Sequence, residues 1–172
     1  MKILNNPRYS GVGRFLWDLA DNLYYVDDNG NRFCVPMGFR HDKRSSRKWM
    51  WTWIPPSVGL KDVIWTIHDF ESRCYSLLGL SLRDVDGSRF VSSMRSMGKS
   101  RTRSLIHSWG VRIASRAVRN SGDGWHRDGK FNADVFDTES DKNVSLVNFV
   151  KTYYNSDGTG LNDQFTFPVE VL

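Results

Sequence analysis

The sequence predicts an α+β fold: an N-terminal β-hairpin, a core of three helices and a C-terminal β segment. Three observations carry this. Between residues 14 and 35 apolar positions recur at period two around an Asn-Gly turn. From Val63 to Leu77 they recur at the helical period. Near the C-terminus Phe165, Phe167, Val169 and Val171 alternate with Thr166, Pro168 and Glu170.

Composition bounds the rest. With 40% hydrophobic residues and 7 Trp, the chain is too apolar for disorder. No apolar run reaches the length of a membrane span, and residues 1–6 hold no apolar stretch of the secretory-signal type. Cys34 and Cys74 are too few for a disulfide framework, and no Cys/His spacing suggests zinc, so no cofactor is expected. A net charge of +5 favours an acidic partner without requiring one.

Residues 1–13 read as an extended lead-in. The hairpin occupies about 14–40: one arm through Phe15–Ala20 and Asn22–Val26, a turn at Asp27-Asp28-Asn29-Gly30, and a return through Arg32–Val35. Pro36 belongs at a strand end, because it cannot donate to a ladder. Arg40–Lys48 is a basic loop leading into the aromatic anchor Trp49, Trp51 and Trp53, which Pro55-Pro56 stops.

The first helix follows. Val63, Ile67, Phe70, Cys74 and Leu77 lie on one face; Asp62 suits its first turn, and Gly79 its C-terminal end. His68 falls at the edge of the apolar stripe and needs a partner, while Asp69 turns toward the polar side. Ser81-Leu-Arg-Asp84 has the form of a capping box and starts a second helix with Phe90, Val91, Met94 and Met97 on one face and Gly98 at its close. Gly87 weakens its first turn. A third helix over about 100–119 is expected to bury Ile106, Trp109, Ile113 and Ala117 and to expose Arg112, Arg116 and Arg119.

Composition shifts after Asn120, which divides the chain into a hairpin-plus-helices domain (1–120) and a β-rich extension (121–172). Val144, Leu146 and Phe149 suggest a strand that Val147 interrupts, and Asn155–Gly160 is a turn. The stripe starting at Phe165 and Phe167 needs an apolar surface and is a candidate docking element.

An ordered set of short motifs, Gly38-Phe39-Arg40-His41-Asp42, Ser45, Trp53-Ile54-Pro55-Pro56, Gly59 and His68-Asp69, resembles an uncharacterised family of small phage and prophage proteins. Its members show G-F-x-T-D, a Trp/Pro-Pro segment and H-D-x-x-Y. The resemblance covers about residues 16–118. His41 stands where the family prefers threonine, and Ser72 where it has tyrosine. What the resemblance implies is a bacteriophage origin and a shared hairpin-plus-helices core, without a mechanism.

Several constellations could carry chemistry. Asp42, His68 and Asp86, with Asp69 beside the histidine, come from segments a compact fold can bring together. A histidine oriented by a carboxylate can serve as general base in a hydrolase acting on host envelope material. The plainer reading is a core-edge histidine bonded, for structural reasons, to a backbone carbonyl or to a carboxylate from another segment, with Asp42 or Asp86 favoured. His41, His68, Asp42 and Asp69 match no metal-ligand spacing, so no metal is expected. The Arg112/Arg116/Arg119 stripe and the tryptophans could face nucleic acid, or the stripe a host protein, but a solvated helix face accounts for them more simply.

The function expected from all this is contact: a small virion, tail-associated or assembly component. Its partners would be other phage structural proteins, with nucleic acid a less favoured one and no membrane span. Its location would be the host cytoplasm during synthesis and then the virion.

Overall fold

The computed structural model describes residues 1–11, 16–42, 62–120, 126–127, 130–131 and 146–168. Six short strands come first: β1 (Lys2–Ile3), β2 (Tyr9–Gly11), β3 (Leu16–Leu19), β4 (Leu23–Val26), β5 (Arg32–Val35) and β6 (Arg40–Asp42). Helices α1 (Asp62–Cys74) and α2 (Leu82–Asp84) follow. A π-helical turn (Val85–Arg89) then runs into α3 (Phe90–Ser96) and on to α4 (Arg101–Asn120). A two-stranded ribbon, β7 (His126–Arg127) with β8 (Lys130–Phe131), and α5 (Leu146–Tyr153) complete the α+β chain.

The turn at Asp27–Gly30 forms as its residues dictate. Gly30 has φ +85°, and the Asp27 carboxylate accepts from the backbone N–H of Asn29 and of Asn31, both at 2.9 Å. β4 and β5 pair antiparallel around it, from Val26↔Arg32 to Leu23↔Val35. The expected single hairpin is otherwise two sheets. One has the order β1-β4-β5 and the other β2-β3-β6, so the N-terminal lead-in supplies a strand to each. The chain changes sheets between Leu19 and Leu23, where a strand of one sheet gives way to a strand of the other.

α1 closes over this layer. Val63, Ile67, Phe70 and Cys74 join Leu19, Leu23, Tyr25, Phe33, Val35 and Phe39 in one core. A smaller core holds Ile64, Phe90, Met94 and Val111. The polar side of α1 is buried too: Asp69, Glu71 and Arg73 each have less than a tenth of their surface exposed. Asp69 therefore sits inside the protein and not on the solvated side that periodicity assigned to it.

Ser81 caps α2 as its motif requires, accepting the Asp84 N–H at 3.1 Å. Gly87 does more than weaken the next turn. The helix widens there into the π turn.

Three expectations are corrected. α4 does not bury Ile106, Trp109 and Ile113, which are 55%, 67% and 36% exposed; its inward residues are Ser104, His107, Ser108 and Val111. Small side chains let it approach the π turn closely, and Ser108 Oγ donates to the Asp86 carbonyl at 2.7 Å. The strand expected around Val144–Phe149 is, from Leu146 on, the helix α5, and Val144 lies outside the described residues. Leu146, Val147 and Val150 are buried on one face, so the Val147 that broke the alternation is part of a helical stripe. Residues 165–168 form no strand. Phe165 and Phe167 pack on Tyr24, with ring centroids at 6.5 and 5.2 Å, and Phe165 also meets Phe149 and Tyr153. Val169 and Val171 lie outside the described residues, as do the Trp49–Trp53 anchor, most of the basic loop before it and the side chain of Ala117.

Candidate functional site

α1 offers His68 and, one helical step of three residues later, Glu71. The π turn offers Asp86 and, three residues later, Arg89. Facing each other, these two elements form two ion pairs of opposite sense. His68 Nε2 lies 3.0 Å from Asp86 Oδ1, and Arg89 Nη2 donates to Glu71 Oε1 at 2.6 Å. Each element thus contributes one cation and one anion, and each charge meets its opposite across the contact.

The glutamate end ties in the hairpin. Glu71 Oε1 also accepts from Arg89 Nε at 2.9 Å and from the Tyr25 hydroxyl at 2.9 Å. Arg89 Nη1 donates to Asp27 Oδ2 at 3.0 Å, and the guanidinium lies over the Phe33 ring at 4.7 Å. The Glu71 charge holds Arg89 firmly protonated against the opposing effect of burial. Burial, with the Glu71 charge beside it, pushes the Tyr25 phenol far up.

The histidine end is more crowded. His68 is 11% exposed and packs edge-on against Phe90 and Trp65, at 5.3 and 6.3 Å between ring centroids. Ser72 Oγ, one turn along α1, is 3.2 Å from the same Nε2 that meets Asp86. Nδ1 faces Asp69 Oδ1 at 3.5 Å, a charge contact too long for a good hydrogen bond. Burial alone would lower the His68 pKa. The carboxylates of Asp69 and Asp86 outweigh it and raise the value to about 9. His68 is therefore an imidazolium at neutral pH.

That charge state decides what the cluster can do. A general base must arrive unprotonated, and this one holds its proton through the neutral range. Its Nε2, the atom nearest Ser72, is already engaged by Asp86. The pair with Asp86 fixes α1 against the π turn.

Of the residues singled out from the sequence, His68, Asp69 and Asp86 come together. Asp42 ends β6, and its side chain lies outside the described residues, as do Trp49, Trp51, Trp53 and the side chain of Arg119. Arg112 and Arg116 are exposed on α4, and the Arg112 guanidinium lies over Gly87. Phe167 is spent inside the chain, buried against Tyr24 and beneath Arg32. His41 is buried apart from His68, with its Nε2 3.3 Å from Thr66 Oγ1. Among the described residues no group of three His, Cys, Asp or Glu side chains could hold a metal ion.

Sequence reasoning missed Glu71 and Arg89. The available signal was the repeated spacing: a cation and an anion three apart on α1, and an anion and a cation three apart on the next helix.

No family model matches the chain, and no curated protein or solved structure matches it either.

Proposed function

We propose that this chain works by contact rather than by catalysis, as a bacteriophage-encoded virion, tail-associated or assembly component. One observation carries the contact reading. α4 turns Leu105, Ile106, Trp109 and Ile113 outward, at 51%, 55%, 67% and 36% exposure. A contiguous apolar helix face of this kind belongs against another surface. The phage setting rests on the ordered motifs from Gly38 to Asp69. The partners would be other phage structural proteins, met in the host cytoplasm during synthesis and retained in the virion. Among the described residues no helix is long and apolar enough to cross a membrane.

The rival is a hydrolase with His68 as base, and the 3.2 Å contact between Ser72 Oγ and His68 Nε2 favours it. The pair with Asp86 and the pKa of about 9 weigh against it, since they leave no free base at neutral pH.

Quantitative mass spectrometry of purified particles and of assembly intermediates tests the proposal. The chain is expected at a fixed copy number in one or both. Its absence from both would overturn the assignment. A hydrolytic activity on envelope material that His68→Gln abolishes without unfolding the chain would install the rival.

A further inference from the structure

The π turn, α3 and α4 enclose an open groove of about 850 Å3. Its walls include Val91, Leu105 and Trp109, and three arginines from two helices reach it: Arg95, Arg101 and Arg112. All three are exposed, and none has a carboxylate partner among the described residues. Arg112 makes one long contact, 3.5 Å from its Nη2 to the Arg83 carbonyl. Asp28 also lines the groove, and its carboxylate already accepts from Ser92 Oγ at 2.9 Å. The groove is thus strongly cationic, with an apolar wall.

That wall continues beyond the groove. Leu105, Trp109 and Ile113 follow one another at successive turns of α4, covering about 12 Å along the helix axis. Exposed Trp and Arg around an apolar centre is the composition of protein-interface hot spots. A nucleic-acid platform would want aromatic rings for stacking. Here three of the four exposed apolar side chains on the helix are aliphatic.

We infer that this face receives an acidic amphipathic segment of a partner protein. Its apolar side chains lie on Leu105, Trp109 and Ile113, and its carboxylates meet Arg95, Arg101 and Arg112. This rests on the contact reading above and names the chemistry of the partner. Two turns of exposed helix suit a partner helix with anchors at i, i+4 and i+7. Carboxylates on the partner would pair with guanidinium groups that have no carboxylate partner among the described residues.

Fluorescence anisotropy with the full chain tests it. Three labelled amphipathic peptides share one leucine face and carry Glu, Gln or Lys on the other; a labelled oligothymidylate is the fourth probe. The Glu peptide is expected to bind about tenfold more tightly than the Gln peptide, and the Lys peptide not at all. Replacing Arg95, Arg101 and Arg112 together by Gln removes the Glu preference. Trp109→Ala weakens both the Glu and Gln peptides, and Arg116→Gln, outside the groove, changes neither. Thermal melts confirm that these surface variants fold. Equal affinity for the Glu and Gln peptides, or no peptide binding, would overturn the inference. So would tighter binding of oligothymidylate that the triple variant abolishes, or a self-associated dimer in sedimentation that Trp109→Ala dissolves. Peptide binding by a chain absent from particles and intermediates would leave the inference standing and remove only the virion assignment.

Discussion

His68 carries a proton that the interior of the protein would ordinarily refuse. Its folded pKa of about 9 lies above the unfolded value near 6.5, so the charged form is what the fold stabilises. That stabilisation is fully present below about pH 6.5 and disappears as pH rises through 9. Its size is on the order of 3 kcal/mol. Chemical denaturation of wild type and His68→Gln between pH 6 and 10 should show the largest gap at the acid end and a narrowing one toward pH 9. A gap independent of pH would mean that the imidazole stabilises by packing on Phe90 and Trp65 alone. The need for a partner was legible in the sequence, since a histidine at the edge of an apolar stripe must find one. Among the carboxylates weighed for that role, the structure pairs Asp86 with it. Arg89 and Glu71 were not legible, because recognising them requires knowing that the π turn faces α1. Sequence spacing describes one helix at a time.

Elements were legible where the signal was local. The Asp27–Gly30 turn, α1 and the Ser81 cap each rest on residues within a few positions of one another. α4 exists where expected and faces the other way, because periodicity locates an apolar stripe without saying whether this molecule or another covers it. Fit to the π turn favoured the serines and Val111, and the larger apolar side chains were left outside. Gly79 makes a similar point about close approach. Its φ of +66° closes the turn that follows α1, five residues beyond Cys74, and a Cβ there would stand 2.2 Å from the Ser156 carbonyl oxygen and 2.5 Å from the Gly158 nitrogen. Gly30 has φ +85° with nothing within 4 Å of the same position. Alanine at Gly30 should therefore cost only backbone strain, about 1–2 kcal/mol. Alanine at Gly79 adds a clash between backbones and should cost about 2–5 kcal/mol. Equal midpoints for the two variants in urea would show that the 156–158 loop moves aside freely.

At the scale of the whole molecule, the C-terminal residues belong to the first core. Leu146, Val150 and Tyr154 join Phe33, Phe70 and Cys74 in the same cluster. β5 is an edge strand whose outer polar groups need partners. The Tyr154 hydroxyl supplies two at once, donating to the Cys34 carbonyl and accepting the Cys34 N–H, each at 2.7 Å. Leu161 N–H donates to the Arg32 carbonyl at 2.8 Å, and Gly160 lets that backbone approach. One hydroxyl and one loop thus stand in for a missing strand. Tyr154→Phe would leave two buried backbone groups unsatisfied and should cost roughly 2–4 kcal/mol. Truncation after Asn120 should do far more, exposing the β5 edge and stripping Tyr154 from Phe33 and Phe70. The truncated chain is expected to lose its cooperative thermal transition and to aggregate through that edge. A sharp melt within a few degrees of the full chain would show that residues 1–120 fold alone, with the last third an appendage and not a wall of the core.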